Sequence, residues 1–526
     1  MSEKNFVVNA DAGIMVASDA PQVVDSDVEQ LKRLGYEQQL RRSLGAVDSF
    51  SSSFACINFI SSTRILLYLG LLAGGPLAMW TSFIINLVSV CITAAILSEI
   101  CSALPISGSL YNWAAAAAGP KYGRFVGFVV AWWVAAAWVS LVALVCEGLV
   151  VWVLSLCSVF NVDFPGGITS DNIKWRILVW AASEGFLVLA TAVTYLPSHL
   201  HGIIFRIAAG LITFDFFLCI IWLPIGASRT YGLRSGREAL LTTYNGTGAP
   251  AGWNWMLSFL FTSSILTGFD APGHLAEETK KASTVAPRSI FRATVVTGVG
   301  GLLTTVVLLP CIPDISELFA LNAPQPFVLV YVMALGRGGG TFMTLVATIA
   351  GLFATSVMIL AASRIVFAIA RDGALPLSDW LAKVSPDGLP RNAVTAIFIL
   401  SAILLCTILP SMVAFTSILS AGNVQLLAAY GLIALLRLTM TPNEFQDSKF
   451  PLGRARKLMY VVSVVMNAIF FAALVSPFTF PVTAATLNFG GVLFAVITII
   501  GIFFFFFFVS NLSLLGRSPM SDLTTL

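Results

Sequence analysis

The chain has 526 residues and a mass of 56.2 kDa; 57% of them are hydrophobic, only 10% are charged, the net charge is +3 and the mean hydropathy is +0.89. Soluble domains carry about a quarter charged residues, so soluble enzymes, secreted domains, coiled coils, disordered chains and nucleic-acid binders are excluded and the chain is placed in a bilayer. Three His and eight scattered Cys, with no CxxC pair, give no zinc or other metal site and no disulfide framework, leaving only Cys157 with Cys311 as a candidate bridge.

Residues 1–45 read as a polar cytoplasmic tail, acidic as far as Glu29 and then basic at Lys32, Arg33, Arg41 and Arg42. They hold no apolar core of signal-peptide type, so the first span is expected to act as the signal anchor. Apolar stretches long enough to cross, at about twenty residues each, follow at 46–72, 76–103, 124–157, 174–196, 202–227 and 254–276, then 290–312, 341–370, 393–409, 412–438, 458–480 and 486–510. These are numbered spans 1 to 12. Their length requires helices, since a membrane strand needs about ten residues and would alternate in polarity. Pro326 to Leu335 is too short to cross and is expected to lie as a helix in an outer loop. A short tail, 511–526, closes the chain.

Most of the 29 Lys and Arg fall on the side of the N-terminus. The other side holds only Lys174, Arg176, Arg229, Arg234, Arg237 and Arg337. This bias puts both termini in the cytoplasm. It also puts the sequon Asn245-Gly246-Thr247 outside, making Asn245 a glycosylation candidate, and leaves Asn511-Leu512-Ser513 inside and unused.

Two spans carry helix-breaking sequence. Span 1 has Asp48 to Ser53 followed by Asn58, Ser61, Ser62, Thr63 and Arg64; span 6 has Thr262-Ser263-Ser264 followed by Thr267-Gly268-Phe269-Asp270-Ala271-Pro272-Gly273-His274. Only where helices are interrupted can backbone groups face a ligand at mid-membrane depth. Spans 1 and 6 head two halves of five, and an odd number of crossings separates them, so the halves are expected to be inverted repeats. The transport core would then cover 46–438, with repeats 46–227 and 254–438, and spans 11 and 12 (458–510) would be additions.

Four ordered motifs resemble one family. They are Leu34 to Arg42 before span 1, Ser98-Glu99 through Pro105, Gly108 and Tyr111 to Trp113 after span 2, Gly268-Phe269-Asp270 with His274, Glu277 to Lys280 and Pro287-Arg288, and Ser363-Arg364 with Phe367 to Pro376. Over residues 31–510 the sequence is similar to the amino acid-polyamine-organocation superfamily, and within it to the fungal amino acid and choline transporters that include the 4-aminobutyrate permeases. The resemblance implies an all-α membrane protein of twelve helices in the five-plus-five (LeuT-like) fold with helices 1 and 6 discontinuous. It also implies uptake of amino acids or related amines, usually coupled to protons. Two departures stand out: span 1 has no Gly between Gly45 and Gly70, and Lys281 stands where the motif usually has Asn. Asn58, Ser61 and Ser62 are expected to supply with side chains what a Gly-rich break supplies with backbone.

Ionisable groups at bilayer depth are functional candidates by default. Asp270 ranks first, as a counter-charge to a substrate amine, as a proton carrier, or as the cap of the second half-helix. Arg64 lies eight residues, about 12 Å, from the outer end of its span, and needs a partner: Glu147 as a gate, or a substrate carboxylate. Asp215 is a coupling candidate or a structural hydrogen-bonding group, and Glu184 reads as structural. The substrate set is therefore Asn58, Ser61, Ser62, Thr267, Gly268, Phe269, Asp270 and Trp138, the two aromatics offering faces on which a cation can rest. Thr355 and Ser356 are candidates for a sodium site, with back-bonding inside the helix as the alternative. Glu277 or Glu278 bridges to Arg364 either as an inner gate or as a solvated pair worth under about 1 kcal/mol.

No nucleophile elbow, nucleotide loop or metal motif is present, which excludes a membrane enzyme or an ATP-driven pump and implies no cofactor. The reading is a secondary active permease importing amino acids or amines such as 4-aminobutyrate by proton symport with alternating access, in the plasma membrane or an endomembrane such as the vacuole. A polyamine or choline transporter of the same fold, or a transporter-like nutrient sensor, is the alternative. No obligate protein partner is implied.

Overall fold

The computed structural model describes residues 6–7, 16–17, 26–321, 323–445, 447–483 and 486–512. Most of the N-terminal 25 residues and residues 513–526, with Ser513 of the second sequon, lie outside the described residues. Apart from one two-residue strand pair, Phe6–Val7 with Val16–Ala17, the described regular structure is helical.

Eleven helical segments among the described residues are long and apolar enough to cross a membrane. The remaining crossing is span 6, which is split. Its first half, Ala251–Ile265, has 15 residues, about 22 Å of helix against about 30 Å of hydrocarbon. The chain unwinds over 266–270 and resumes as the short helix Ala271–His274 and the turn Ala276–Glu278. Gly268 supplies a left-handed position (φ 91), and Pro272 opens the second half-helix, where its missing N–H costs nothing.

Span 1 breaks without glycine. Ala46–Ile57 and Phe59–Leu72 meet at Asn58, which is left-handed at φ 37, ψ 53. Asn is among the few L residues that tolerate this region, because its short amide bonds locally. The missing glycine is thus replaced by a change in backbone preference as well as by polar side chains. The same logic explains the second departure. Lys281 sits at φ 53, ψ 48 before span 7 (Ala282–Leu308), a position that favours Asn.

The repeat is visible in a second pair of breaks. The helix Ser109–Leu154 bends at Gly119 (φ 69, ψ 179) and the helix Phe327–Arg371 at Gly336 (φ 73, ψ 174). In the first, a helix on the N-terminal side leads into span 3; in the second, a helix on the opposite side, at the expected 326–335, leads into span 8. Near-identical backbone geometry on opposite sides is what an inverted repeat requires.

Burial separates inner from outer helices. The most apolar windows of spans 8 and 10 are 72% buried, those of spans 4, 5, 9 and 11 are 33% buried, and that of span 12 is 11% buried. Phe503, Phe506 and Phe507 of span 12 accordingly face outward, while Phe504 stacks on Trp132 and Phe505 meets Phe125 and Phe128 edge-on, all three on span 3. Inner helices approach closely through glycine: a Cβ on Gly300 of span 7 would stand 2.8 Å from the Phe59 ring. Cys157 and Cys311 are both free thiols, so the candidate bridge is not formed.

On the N-terminal side, the tail is strapped across the bundle. Ser43 and Leu44 N–H donate to Glu278 O at 3.0 Å each, Lys280 N–H donates to Leu44 O at 2.9 Å, and Lys281 N–H donates to Asp27 Oδ2 at 2.6 Å. The helix Ser26–Arg33 packs Leu31 into the core beneath this strap.

Candidate functional site

Between the two breaks lies a cavity of about 330 Å³. Its floor is formed by Cys56, Ile57 and Asn58 of span 1 and Thr267 and Gly268 of span 6. Above the floor, Ser61, Ser62 and Ile65 line one wall, Trp138, Leu141, Glu147 and Gly148 of span 3 another, and Ser264, Met358 and Asn423 the rest. Every lining residue lies at the level of the breaks or in the half of the bundle away from the N-terminal tail. The walls are mostly apolar, with a few convergent polar atoms, the usual make-up of a small-molecule site.

Several of those polar atoms have no hydrogen-bond partner among the described residues. Asn58 Oδ1, Trp138 Nε1 and Asn423 Oδ1 are buried without a hydrogen bond, although Asn423 Nδ2 donates to Ser264 Oγ at 3.1 Å. Glu147 is 7% exposed and has no ion-pair partner among the described residues. Leaving a buried polar group unpaired costs about 1–3 kcal/mol, so the cavity is built to have these groups satisfied by something that enters it.

Arg64 does not pair with Glu147 or face the cavity, which corrects the sequence expectation. Its Nη2 lies 2.5 Å from Asp215 Oδ2 and its Nη1 2.8 Å from Asp215 Oδ1, both side chains being fully buried. Nη1 also donates to Tyr331 Oη at 2.6 Å and to Cys219 Sγ, and the guanidinium carbon lies 5.2 Å from the Trp152 ring centroid. Asp215 and Cys219 are four apart on span 5, hence on one face, just where a π-turn at Leu218–Trp222 interrupts the helix. Arg64 therefore ties span 1 to span 5 and, through Tyr331, to the helix that precedes the bend at Gly336.

Phe269 and Asp270 lie below the floor and do not line the cavity. Phe269 packs on Tyr430 (centroids 5.0 Å apart), and Ser53 Oγ donates to its carbonyl at 3.1 Å. Asp270 begins the second half-helix but makes no side-chain cap bond, so the capping role is not seen. Instead Tyr430 Oη donates to Asp270 Oδ1 at 2.8 Å, and Asp270 Oδ2 stands 2.8 Å from His274 Nε2, a close contact without hydrogen-bond geometry. Thr355 and Ser356 donate to Gly351 O and Leu352 O of their own helix at 2.8 and 3.0 Å. Glu184 accepts from Trp180 Nε1 one turn away, as a structural group does.

The side towards the tail is closed by two ion pairs. Glu278 Oε1 lies 2.5 Å from Arg364 Nε with both side chains 1% exposed, which removes the solvated reading. Glu277 holds Arg371 at 2.9 and 3.0 Å, and the Arg371 guanidinium lies over the Tyr36 ring of the tail at 4.2 Å. Tyr36 and Tyr111 both donate to Asp372 Oδ2, at 3.0 and 2.8 Å. Burial raises the Asp372 carboxyl from its ordinary value, with Arg371 and the two tyrosines pulling the other way. Such desolvated charges cost several kcal/mol to leave single, so this closure holds as a unit.

Residues 47–504 match the family model described as amino acid permease. The chain belongs to that family. It is a multi-pass membrane transporter of the amino acid-polyamine-organocation superfamily and not an enzyme. The thiamine transporter thi9 of Schizosaccharomyces pombe is 38% identical over 504 residues, covering 91% of this chain and 85% of its own. The amino-acid permease BAT1 of Arabidopsis thaliana is 28% identical over 481 residues, covering 89% of this chain and 92% of its own. A solved manganese transporter from Eremococcus coleocola aligns at 12% identity and a TM-score of 0.49, over 91% of this chain and 94% of that one.

The sequence pattern did not signal Tyr331, Cys219, Tyr430 or Asn423, because single polar residues inside long apolar runs carry no mark of which helix they will face. His274 lay within the span 6 motif, and its position one turn after Asp270 was the available clue.

Proposed function

We propose that this permease imports an organic cation with extended, ring-like apolar surface, of the thiamine kind, by proton symport across the plasma membrane. The observation that carries the reading is an acid, Glu147, with no ion-pair partner among the described residues, in an apolar Trp-walled cavity that Arg64, paired with Asp215, does not line. A site of net negative charge selects cations. Trp138 adds an indole face and a free donor.

Spacing supports an elongated ligand. Gly148 packs against Ile65, so Glu147 stands near the level of that residue, seven residues or about 10 Å above Asn58. The two charges of an α-amino acid are too close to reach both ends. A molecule with a cationic ring at one end and a neutral hydrogen-bonding ring at the other meets Glu147 above and Asn58, Asn423 and Thr267 below. The 38% identity to a thiamine transporter supports the same class.

A second reading, amino acids including 4-aminobutyrate, rests on the start of the second half of span 1. Helix Phe59–Leu72 has no side-chain cap and starts at the cavity floor, where its positive dipole end favours a carboxylate.

The tail side is read as cytoplasmic from the Lys and Arg bias, which makes this conformation outward-facing with its inner gate, Glu278 with Arg364, shut. Uptake of labelled thiamine, choline, polyamines, 4-aminobutyrate and other amino acids in permease-deficient cells, with and without a protonophore, tests the proposal. Thiamine-class accumulation abolished by the protonophore is the expected result. Transport of 4-aminobutyrate with no uptake of any organic cation would replace it with the second reading.

A further inference from the structure

We propose that Asp270 and His274, held by Ser109 and Tyr430, form the binding site of the transported proton, separate from the substrate cavity but sharing Trp138 with it. This rests on the reading of the chain as a proton-driven importer. The two side chains are fully buried and one helical turn apart on the second half of span 6, with Asp270 Oδ2 2.8 Å from His274 Nε2. The other ring nitrogen, Nδ1, meets Ser109 Oγ. Tyr430 Oη donates to the second carboxylate oxygen at 2.8 Å. The His274 ring stands edge-on to Trp138, centroids 5.2 Å apart, and Trp138 lines the cavity. One indole is therefore wall to the substrate and neighbour to the dyad.

The charges facing this pair are few. Cys56 of span 1 lies near Asp270, and Tyr430 comes from span 10. Glu277 and Glu278 on the following turn, and Arg364 and Arg371 of span 8, are already engaged with one another. No cation among these is left to balance the Asp270 carboxylate except the imidazole itself. Unloaded, the pair is a carboxylate with a neutral imidazole whose Nδ1 proton is donated to Ser109 Oγ, and its net charge is −1. The arriving proton binds Nε2 opposite Oδ2, making a carboxylate–imidazolium pair of net charge zero. Deprotonation of Nε2 on the other side of the membrane restores the first state. An unbalanced charge buried at this depth is costly, so the half-helix closes most readily with the proton aboard.

The test uses the full-length protein in proteoliposomes, with labelled thiamine as probe. Two transport modes are compared: accumulation driven by an imposed pH gradient, and exchange of external for internal label at equal pH. Asp270→Asn and His274→Gln are expected to lose accumulation while keeping exchange, because exchange needs no net proton release. A substrate-free readout accompanies it: the wild type shows a fall in tryptophan fluorescence as His274 protonates beside Trp138, and this step is missing in His274→Gln and in Trp138→Phe. If Asp270→Asn does not yield monodisperse protein, His274→Gln and Ser109→Ala carry the comparison. Proton-driven accumulation at the wild-type level in His274→Gln, or an unchanged fluorescence step, overturns the proposal. Failure of the wild type to move thiamine overturns the substrate reading instead, and the fluorescence titration then decides the proton site by itself.

Discussion

Replacing Arg64 by Gln removes the only cation from a cluster in which Arg64 and Asp215 are both fully buried, with N–O separations of 2.5 and 2.8 Å. At about 4 Å between charge centres and an effective dielectric near 20 the attraction is about 4 kcal/mol. Burying the two ions offsets most of this, so the pair as a whole contributes little net stability, while an orphaned Asp215 costs about 3–5 kcal/mol. The packing of the guanidinium on Trp152 adds about 0.5–2 kcal/mol to the loss. Arg64→Gln and Asp215→Asn are each expected to lower the denaturation midpoint and yield of the detergent-purified protein sharply. The apolar double variant Arg64→Met with Asp215→Leu should recover much of it, with a coupling energy of about 1–3 kcal/mol. Because Arg64 does not line the cavity, the protein that does fold should keep its KM for substrate. A single variant as stable as wild type, a double variant whose loss equals the sum of the singles, or a raised KM at unchanged stability would each refute the argument.

Glu147→Gln should do the reverse: little change in stability, since no protein group loses a partner, but a rise in KM for cations, about tenfold if one desolvated charge contact of about 1.4 kcal/mol is lost; unchanged uptake kinetics would remove Glu147 from the site. Gly300→Ala would place a Cβ 2.8 Å from the Phe59 ring next to the break in span 1; overpacking of this kind costs about 1–3 kcal/mol, visible in the thermal midpoint. Asp372 gives a pH prediction. Its carboxyl is raised in the folded protein, so it contributes stability that is fully present below its unfolded value and is lost as pH rises through the folded value. Asp372→Asn should flatten the fall in thermal midpoint across that acidic window, and parallel curves for the two proteins would count against it. Finally, Asn245 is exposed, and with the tail side cytoplasmic it should carry glycan: endoglycosidase should shift the wild type on a gel and leave Asn245→Gln unmoved.

Hydropathy alone determined that the chain crosses a bilayer many times, because about twenty apolar residues in a row have no other use. Clusters of Gly, Pro, Asp and Ser marked span 6 as broken, since these residues disfavour an intact helix. The break in span 1 was marked only by polarity. That Asn58 would take the left-handed turn is a single-residue choice the pattern does not encode, as is the matched bending at Gly119 and Gly336. Charges inside spans stand out in the sequence as unusual, yet their partners are not legible there. Arg64 meets Asp215, and Glu147 meets no cation among the described residues, because pairing depends on which faces of non-adjacent helices are turned together. Periodicity gives the face of one helix and says nothing of its neighbour. Tertiary packing decided that Asp270 lies beneath the cavity beside His274, and that the acid opening into the cavity is Glu147.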